Sequence, residues 1–178
     1  MSDPSRIFIS YKHADTSTQI AQRLYSKLKV YSEALDLEVY LDDKHNKGGD
    51  VWSEEIETEL NRMTHFIGLL SDEYWLSEQC QRELLHGVNR FEKNGSVRLL
   101  FVLAEKMNPA LLTLNKARGA GKLASNNPSI QKLGDLHFLG PFDQNTCLER
   151  LAFEDKAKFG DQLEQLISRL RATLGRPG

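Results

Sequence analysis

The chain has 178 residues, of which 40% are hydrophobic, and its 23 lysine and arginine residues nearly balance 25 aspartate and glutamate residues. This length and composition predict a single globular domain, and the near-neutral charge gives no overall field that would attract nucleic acid or a membrane surface, so we expect neither as a partner. The N-terminal residues lack the features of a signal peptide, and the longest apolar run, Leu99 to Ala104, is far too short to span a bilayer, which favours a cytoplasmic protein.

The first half of the chain predicts strands and helices in alternation. Arg6 to Ser10 is a short β-rich run, and Asp15-Thr16-Ser17 can cap the helix that follows it. Residues 38–41 predict a second strand, and a polar loop, residues 42–50, leads from it to a second helix. The apolar face of that helix is predicted to contain Trp52, Ile56, Leu60 and Met63.

The next part of the chain continues this alternation. His65 to Leu70 predicts a third strand, and a helix opens at Ser77. The apolar residues predicted to be buried by this helix are Leu84, Val88 and Phe91. Val97 to Leu103 is the most continuously apolar strand, as expected for a central strand that is covered on both faces.

The last part of the chain has a weaker pattern. Residues 105–134 mix Gly, Asn, Lys and Pro without a clean period, which predicts a long loop with at most one short helix. Leu136 to Leu139 predicts a fifth strand, residues 159–174 an amphipathic C-terminal helix, and residues 175–178 a linker stub. Five strands that alternate with helices predict an α/β fold with a doubly wound, mainly parallel sheet.

Three polar clusters follow the first three predicted strands. They are residues 10–13, Asp42 with Asp43, and residues 71–75. Because ligands bind outside the carboxyl ends of the strands in such sheets, we expect these clusters to converge at one edge. Each cluster also has an ordinary interpretation. The first can be a strand end before a helix, the second part of a solvated connector with a Gly48-Gly49 pair, and the third a helix cap.

Glu83 is a carboxylate whose position on a predicted helix makes it a candidate site residue. Ser77 caps its helix, and Cys80 and Glu83 follow at steps of three, so they share a face. Glu83 lies at the edge of the apolar stripe, which predicts a place near the rim of the crevice. An ordinary solvated glutamate is the alternative.

The three clusters, in this order and spacing, resemble the three sequence boxes of TIR (Toll/interleukin-1 receptor) domains. Residues 6–11, Arg-Ile-Phe-Ile-Ser-Tyr, are similar to the first box, and residues 42–52, with Gly49, resemble the second-box loop. Residues 71–85, which contain Ser71-x-x-Tyr74, Trp75 and Ser77-x-x-Cys80-x-x-Glu83-Leu84, resemble the segment with the catalytic glutamate of plant and bacterial members. The resemblance covers residues 6–142 and implies a TIR domain over residues 1–174.

The resemblance implies a flavodoxin-like, five-stranded fold with helices on both faces, and, as in enzymatic members, cleavage of the nicotinamide-ribose bond of NAD+ with Glu83 as the catalytic residue. Many animal members are adaptors that lack this glutamate, so its presence favours an enzyme. The alternative is a non-catalytic module that signals through TIR-TIR contacts. ADP-ribose and a cyclised isomer are both compatible products.

One carboxylate is chemically sufficient for this reaction. Nicotinamide leaves as a neutral molecule, so no general acid is needed, and a carboxylate beside the ribose stabilises the developing positive charge. Aromatic packing against the cofactor is assigned to Trp52 or Trp75. The ordinary alternative for Trp52 is packing in the core, and that for Trp75 is packing against a helix end. The pyrophosphate is assigned to Lys12 and His13, for which a solvated lysine and a helix-start histidine are the ordinary alternatives. The resemblance adds the remaining residues of the binding set, which are Tyr11, Asp43 and Ser71.

Enzymatic TIR domains commonly act as assemblies, and the resemblance implies self-association through loop 43–51. The Gly48-Gly49 pair makes that loop suited to movement, so we expect a weakly active monomer and an active assembly. The resemblance also implies a bacterial immune or antiphage effector, and the linker-like end is consistent with a C-terminal sensor domain in a longer protein.

Other chemistries are disfavoured. A phosphoacceptor receiver domain needs an acidic pair after the first strand, where this chain has Ser10-Tyr11-Lys12. Residues 119–122, Gly-Ala-Gly-Lys, superficially resemble a phosphate loop, but Leu123 stands where Ser or Thr would hold magnesium. The five histidines are scattered, and the two cysteines form neither a ligand spacing nor a disulfide framework, so we expect no metal, a reducing compartment, and no cofactor other than NAD+ as substrate.

Overall fold

The computed structural model describes most of the chain. The described residues are 3–41, 53–108, 112–115, 120–123, 136–137, 147 and 156–174, with backbone alone for the segments 112–115, 120–123 and 136–137. The predicted loop 42–50 and the linker stub 175–178 lie outside these residues. None of the helices in the described ranges is both long and apolar enough to cross a membrane.

The centre of the molecule is a four-stranded parallel sheet with strand order β2-β1-β3-β4. Its strands are β1 (Ser5–Ser10), β2 (Leu37–Leu41), β3 (His65–Leu70) and β4 (Arg98–Leu103). The α/β class and the parallel sheet are confirmed. The predicted number of five strands differs, because the sheet has four in the part of the chain that the structure describes.

The central strands β1 and β3 are buried on both faces, as is usual for strands of a parallel sheet. All six residues of β3 are buried, as are the last four of β1, so both faces of these strands are covered. Their register pairs Phe8 with Phe66 and Ser10 with Gly68. Both strands therefore end at the same edge of the sheet.

Helices cover both faces, as a doubly wound fold requires. They are α1 (Asp15–Val30), α2 (Ser32–Leu35), α3 (Glu54–Arg62), α4 (Asp72–Leu76), α5 (Glu78–Asn94) and α6 (Lys156–Arg171). Ile7 and Ile9 face one core together with apolar residues of α1 and α6. Phe8 and Phe66 face the other core, with α3, α4 and α5. The alternation of these side chains along the strands separates the two cores.

Serine side chains cap the starts of three of these helices, α3, α4 and α5. Ser53 Oγ accepts from the backbone N–H of Ile56 at 3.2 Å, and Ser77 Oγ accepts from that of Cys80 at 3.4 Å. The opening of α5 at Ser77 is thus confirmed. The predicted cap of α1 is wrong, because its N-cap residue is Ala14, which has no side chain that can accept a hydrogen bond.

The segment after β4 differs most from prediction. Leu112–Asn115 (β5), Ala120–Leu123 (β6) and Leu136–His137 (β7) form a second, antiparallel sheet in the order β5-β6-β7. The expected long loop at 105–134 therefore contains two short strands. Residues 136–137 form a strand, as predicted, but they bond to β6 rather than joining the parallel sheet, although β7 lies near β4.

Two predictions about helix packing are also tested. Phe91 was expected in the core but is 45% exposed; it lies on the same face as Leu84 and Val88, but in the last turn of α5. The C-terminal helix is confirmed and begins slightly earlier than predicted, at Lys156.

Candidate active site

The strand order places a crevice at the carboxyl ends of β1 and β3. From β1 the chain passes to β2 on one side of the sheet, and the later strands β3 and β4 lie on the other side. Such a reversal is the point where doubly wound sheets bind ligands, since helices leave in opposite directions. Residues 10–13 and 71–75 both follow these strand ends, so the predicted convergence of these two clusters is confirmed.

Glu83 lies at this edge, in the second turn of α5. It was expected near a rim, but it is only 3% exposed, because its helix turns it toward the end of β1. Its Oε2 accepts a hydrogen bond from Ser10 Oγ at 2.5 Å, and its Oε1 accepts one from Gln79 Nε2 at 3.2 Å. A buried carboxylate needs such donors, since its charge is otherwise poorly solvated.

Ser10 also contacts Tyr74, on the short helix α4. The Ser10 Oγ and the Tyr74 phenol oxygen are 2.9 Å apart, and the Tyr74 side chain is fully buried. Burial raises the pKa of Tyr74 well above its ordinary value, and the nearby Cys80 and Glu83 add to the effect. Tyr74 is therefore a neutral phenol at neutral pH, able to donate one hydrogen bond.

Ser71 and Trp75 occupy structural positions at this edge. Ser71 is buried, and its Oγ accepts from the backbone N–H of Tyr74 at 3.0 Å, so it caps α4. Trp75 is half-buried and packs against the core that contains Phe8. Its carbonyl accepts from Gln81 Nε2 at 2.6 Å, which ties the end of α4 to the start of α5.

Tyr11, Lys12 and His13 lie in the turn between β1 and α1. Tyr11 is buried, and its ring stacks on that of His13, with centroids 4.5 Å apart and planes inclined by 15°. Lys12 is half-buried, and its carbonyl accepts from the backbone N–H of Ala14 at 2.8 Å. Tyr11 packs in the core with α1 and α6, whereas Tyr74 and Cys80 belong to the core on the other face of the sheet, so the structure does not bring the predicted site residue Tyr11 into the Glu83 cluster.

Two predicted site residues, Asp43 and Trp52, lie outside the described residues, as does the predicted assembly loop 43–51. The cluster also contains two side chains, Tyr74 and Gln79, that were not predicted as site residues. The sequence could have indicated Gln79 as a neighbour of Glu83, because it precedes Glu83 by four residues and so lies beside it on the helix. The contact of Tyr74 with Ser10 joins residues 64 positions apart and has no local signal.

Further contacts fix the loops around this edge. Ser17 Oγ, in the first turn of α1, donates to Glu105 Oε2 at 2.8 Å. Asp72 Oδ1 accepts from the backbone N–H of Asn108 at 2.9 Å. Glu105 and Asn108 both follow β4, so the segments after β1, β3 and β4 are linked to one another.

The site is closed around its carboxylate. One open groove of about 550 Å³ lies between α1 and α6, and a smaller one of about 210 Å³ is lined by residues of β1, β2 and α3. Neither includes Glu83. Within the described ranges, no three His, Cys, Asp or Glu side chains form a group suited to a metal ion.

Comparison with known proteins places the chain in a sequence family. The family model described as the TIR domain matches residues 7–133, and no curated protein matches the chain. The chain is similar to the TIR domains of the activated Roq1 resistosome, which directly recognises the pathogen effector XopQ. Identity is 16% over 92% of this chain and 82% of that chain, with a TM-score of 0.48.

A second similar structure is the TIR domain of the Toll-related receptor TRR-2 from the lower metazoan Hydra magnipapillata. Identity is 12% over 93% of this chain and 97% of that chain, with a TM-score of 0.44. The family model carries the assignment, since it spans most of the chain. The chain belongs to the TIR domain family.

Proposed function

We propose that this TIR domain is an NAD+ nucleosidase in which Glu83 is the catalytic residue. The observation that carries the proposal is a buried carboxylate at the ligand-binding edge of a doubly wound sheet, anchored by hydrogen bonds from Ser10 and Gln79. Buried carboxylates are rare unless they are paired or functional, which makes this position a candidate for chemistry.

The proposed reaction needs one anionic group. The bond between C1′ of the ribose and the pyridinium nitrogen breaks, and its electron pair neutralises the departing nicotinamide. The Glu83 carboxylate stabilises the positive charge left on the ribose. Attack by water at C1′ then gives ADP-ribose and releases one proton to solvent, whereas attack by an adenine nitrogen gives a cyclic product.

The neighbouring residues suit the rest of the substrate. We assign the pyrophosphate to Lys12 and His13, whose side chains are half-buried in the turn that follows Ser10. We assign the packing of a nicotinamide or adenine ring to Trp75, which is half-buried, whereas Tyr11 is buried in the core with α1 and stacks on His13. Ser71 acts through the position of α4, and Asp43 and Trp52 remain predicted contacts.

Opening of the site is part of the proposal, because a carboxylate that is 3% exposed must gain access to the ribose. We propose that self-association, with loop 43–51 at the contact, favours the open form. Nicotinamide release per protomer then rises with protein concentration. Constant activity per protomer from dilute to concentrated protein contradicts this part of the proposal.

The direct test measures nicotinamide release from NAD+ by the purified protein and its Glu83→Gln variant. We expect Glu83→Gln to remove at least 99% of the activity, since the neutral amide cannot stabilise the cationic ribose. Glu92→Gln is the matched control, because Glu92 lies on the same helix but is exposed, and it should retain full activity.

An inactive wild-type protein, tested at high concentration with crowding agent, contradicts the enzymatic proposal and favours the non-catalytic TIR-TIR scaffold. For an active enzyme, we propose a role in bacterial immunity through NAD+ depletion, with a sensor domain elsewhere in a longer protein. Unchanged NAD+ levels in phage-infected cells that express the complete protein contradict that role.

A further inference from the structure

We infer that Tyr74 is a positioning residue that acts on Glu83 through Ser10, in a hydrogen-bond relay with one allowed direction. The inference rests on the proposed function and adds to it a residue that never touches the substrate. Tyr74 O–H donates to Ser10 Oγ, and Ser10 O–H donates to Glu83 Oε2, over 2.9 Å and 2.5 Å.

The direction follows from counting protons. The Ser10 hydroxyl has a single proton, which it donates to Glu83 Oε2. Ser10 then has lone pairs but no proton for Tyr74, and the phenol must be the donor. The raised pKa of Tyr74 keeps that proton in place at neutral pH.

The relay is rigid because both of its members are fixed by their backbones. Ser10 is the last residue of β1 and is paired with Gly68 of β3, and its side chain is 1% exposed. Tyr74 is 0% exposed and lies in α4, whose start is capped by Ser71. Neither hydroxyl can turn toward bulk water, so the Tyr74 hydroxyl donates to Ser10 and the Ser10 hydroxyl donates to Glu83.

The relay therefore sets the orientation of the carboxylate from the inside of the protein. The Ser10 hydroxyl has one proton, and both Glu83 and the Tyr74 oxygen could accept it. Because Tyr74 donates its own proton to Ser10, the Ser10 proton is directed to Glu83. When that proton is absent, the Ser10 hydroxyl still bonds Glu83 but loses a polarising partner and part of its constraint. A carboxylate that is less well oriented gives slower chemistry with little change in substrate binding.

Tyr74→Phe is the decisive variant, because it removes one oxygen atom and keeps the ring that packs in the core. We expect kcat for nicotinamide release to fall about tenfold while KM stays within about twofold, and Ser10→Ala to cause a larger fall in kcat. Tyr31→Phe is the matched control. It also removes a phenol that donates to a glutamate, Glu164 at 3.1 Å, but at the opposite end of α1, so kcat should not change.

A second readout needs no activity. With ¹³C-labelled glutamate, we expect the Glu83 carboxyl resonance of substrate-free protein to shift in Tyr74→Phe and Ser10→Ala and to stay in place in Tyr31→Phe. An unshifted resonance with unchanged kcat in a folded Tyr74→Phe protein overturns the relay and leaves the nucleosidase proposal intact. A shifted resonance in a protein that releases no nicotinamide supports the relay as a structural device and contradicts the nucleosidase.

Discussion

Ser10 Oγ and Glu83 Oε2 lie 2.5 Å apart, although 73 residues separate them along the chain. This contact joins the end of the central strand β1 to the second turn of α5. Both side chains are almost completely buried, at 1% and 3% exposure. The orientation of the carboxylate therefore depends on the packing of the sheet as well as on the helix that carries it.

The contact between Gln79 and Glu83 should be sensitive to charge. Gln79 Nε2 donates to Glu83 Oε1 at 3.2 Å, so Gln79→Glu replaces a donor with a second carboxylate one turn away. We expect the free energy of unfolding at pH 7 to fall by roughly 1–2 kcal/mol, from lost hydrogen bonding and like-charge repulsion. Urea unfolding followed by circular dichroism measures the change.

The control for this prediction is Gln22→Glu, which introduces the same charge at an exposed position of α1. It should change stability by less than about 0.5 kcal/mol. Equal stability of the two variants would show that the Gln79–Glu83 contact does not constrain the carboxylate.

The sequence was sufficient to predict the elements with strong hydrophobic patterns. β3 begins and ends at the predicted residues, His65 and Leu70, because six consecutive buried residues have clear limits. The antiparallel strands β5 and β6 escaped prediction, since four residues such as Ala120–Leu123 are too few to establish a period of two. The position of β7 is set by its pairing with β6, a tertiary contact that local sequence does not determine.

The candidate site was predicted in outline. The strand-end rule correctly placed residues 10–13 and 71–75 at one edge, where Ser10 contacts Tyr74, because parallel strands share one carboxyl edge. Helical spacing indicated the face of Glu83 but not its burial, which depends on Ser10 and Tyr74 reaching it from other elements. Such contacts between distant residues cannot be read from local periodicity.

Arg90 should stabilise the end of α3. Its Nη1 donates to the carbonyl oxygens of Leu60 and Met63 at 2.7 and 2.8 Å, which satisfies acceptors that a helix end leaves without partners. We expect Arg90→Met to lower the free energy of unfolding by about 2 kcal/mol in urea titrations. Arg82→Met, on an exposed site of the same helix α5, should have little effect, and an equal loss in both variants would refute the capping role.

Gly68 should be required by close packing within β3. A Cβ atom at this position would lie 3.1 Å from Phe101 Cδ1 and 3.4 Å from Phe66 Cε1, both of which are atoms of buried rings. We expect Gly68→Ala to lower the melting temperature, in line with a destabilisation of roughly 1–3 kcal/mol. Gly160→Ala is the control, because a Cβ in that helical position meets nothing within 4 Å. It should stabilise the protein slightly, and a destabilisation as large as that of Gly68→Ala would contradict the packing argument.

His65 should make the domain sensitive to acid. It lies at the amino end of β3 and is 4% exposed, and its Nδ1 is 2.8 Å from Thr64 Oγ1. Its Nε2 has no hydrogen-bond partner among the described residues, although the backbone of Thr173 is near enough to oppose part of the pKa shift. Burial, aided by the charge of Arg98, lowers the pKa of His65 to about 4.

The sign of the effect follows from the two pKa values. Because the folded value, about 4, lies below the ordinary value of 6.5, the unfolded chain binds the proton more tightly, and stability falls as the pH drops from 6.5 to 4. The full loss is about 3 kcal/mol, since each pKa unit corresponds to about 1.4 kcal/mol. Comparing urea unfolding of the wild type and His65→Phe across this pH range isolates the contribution of His65 to stability.

The stability of His65→Phe relative to the wild type should increase as the pH falls, whereas His86→Gln, at a half-exposed position, should alter the pH profile less. Parallel profiles for the wild type and His65→Phe would show that His65 is not the acid-sensitive group.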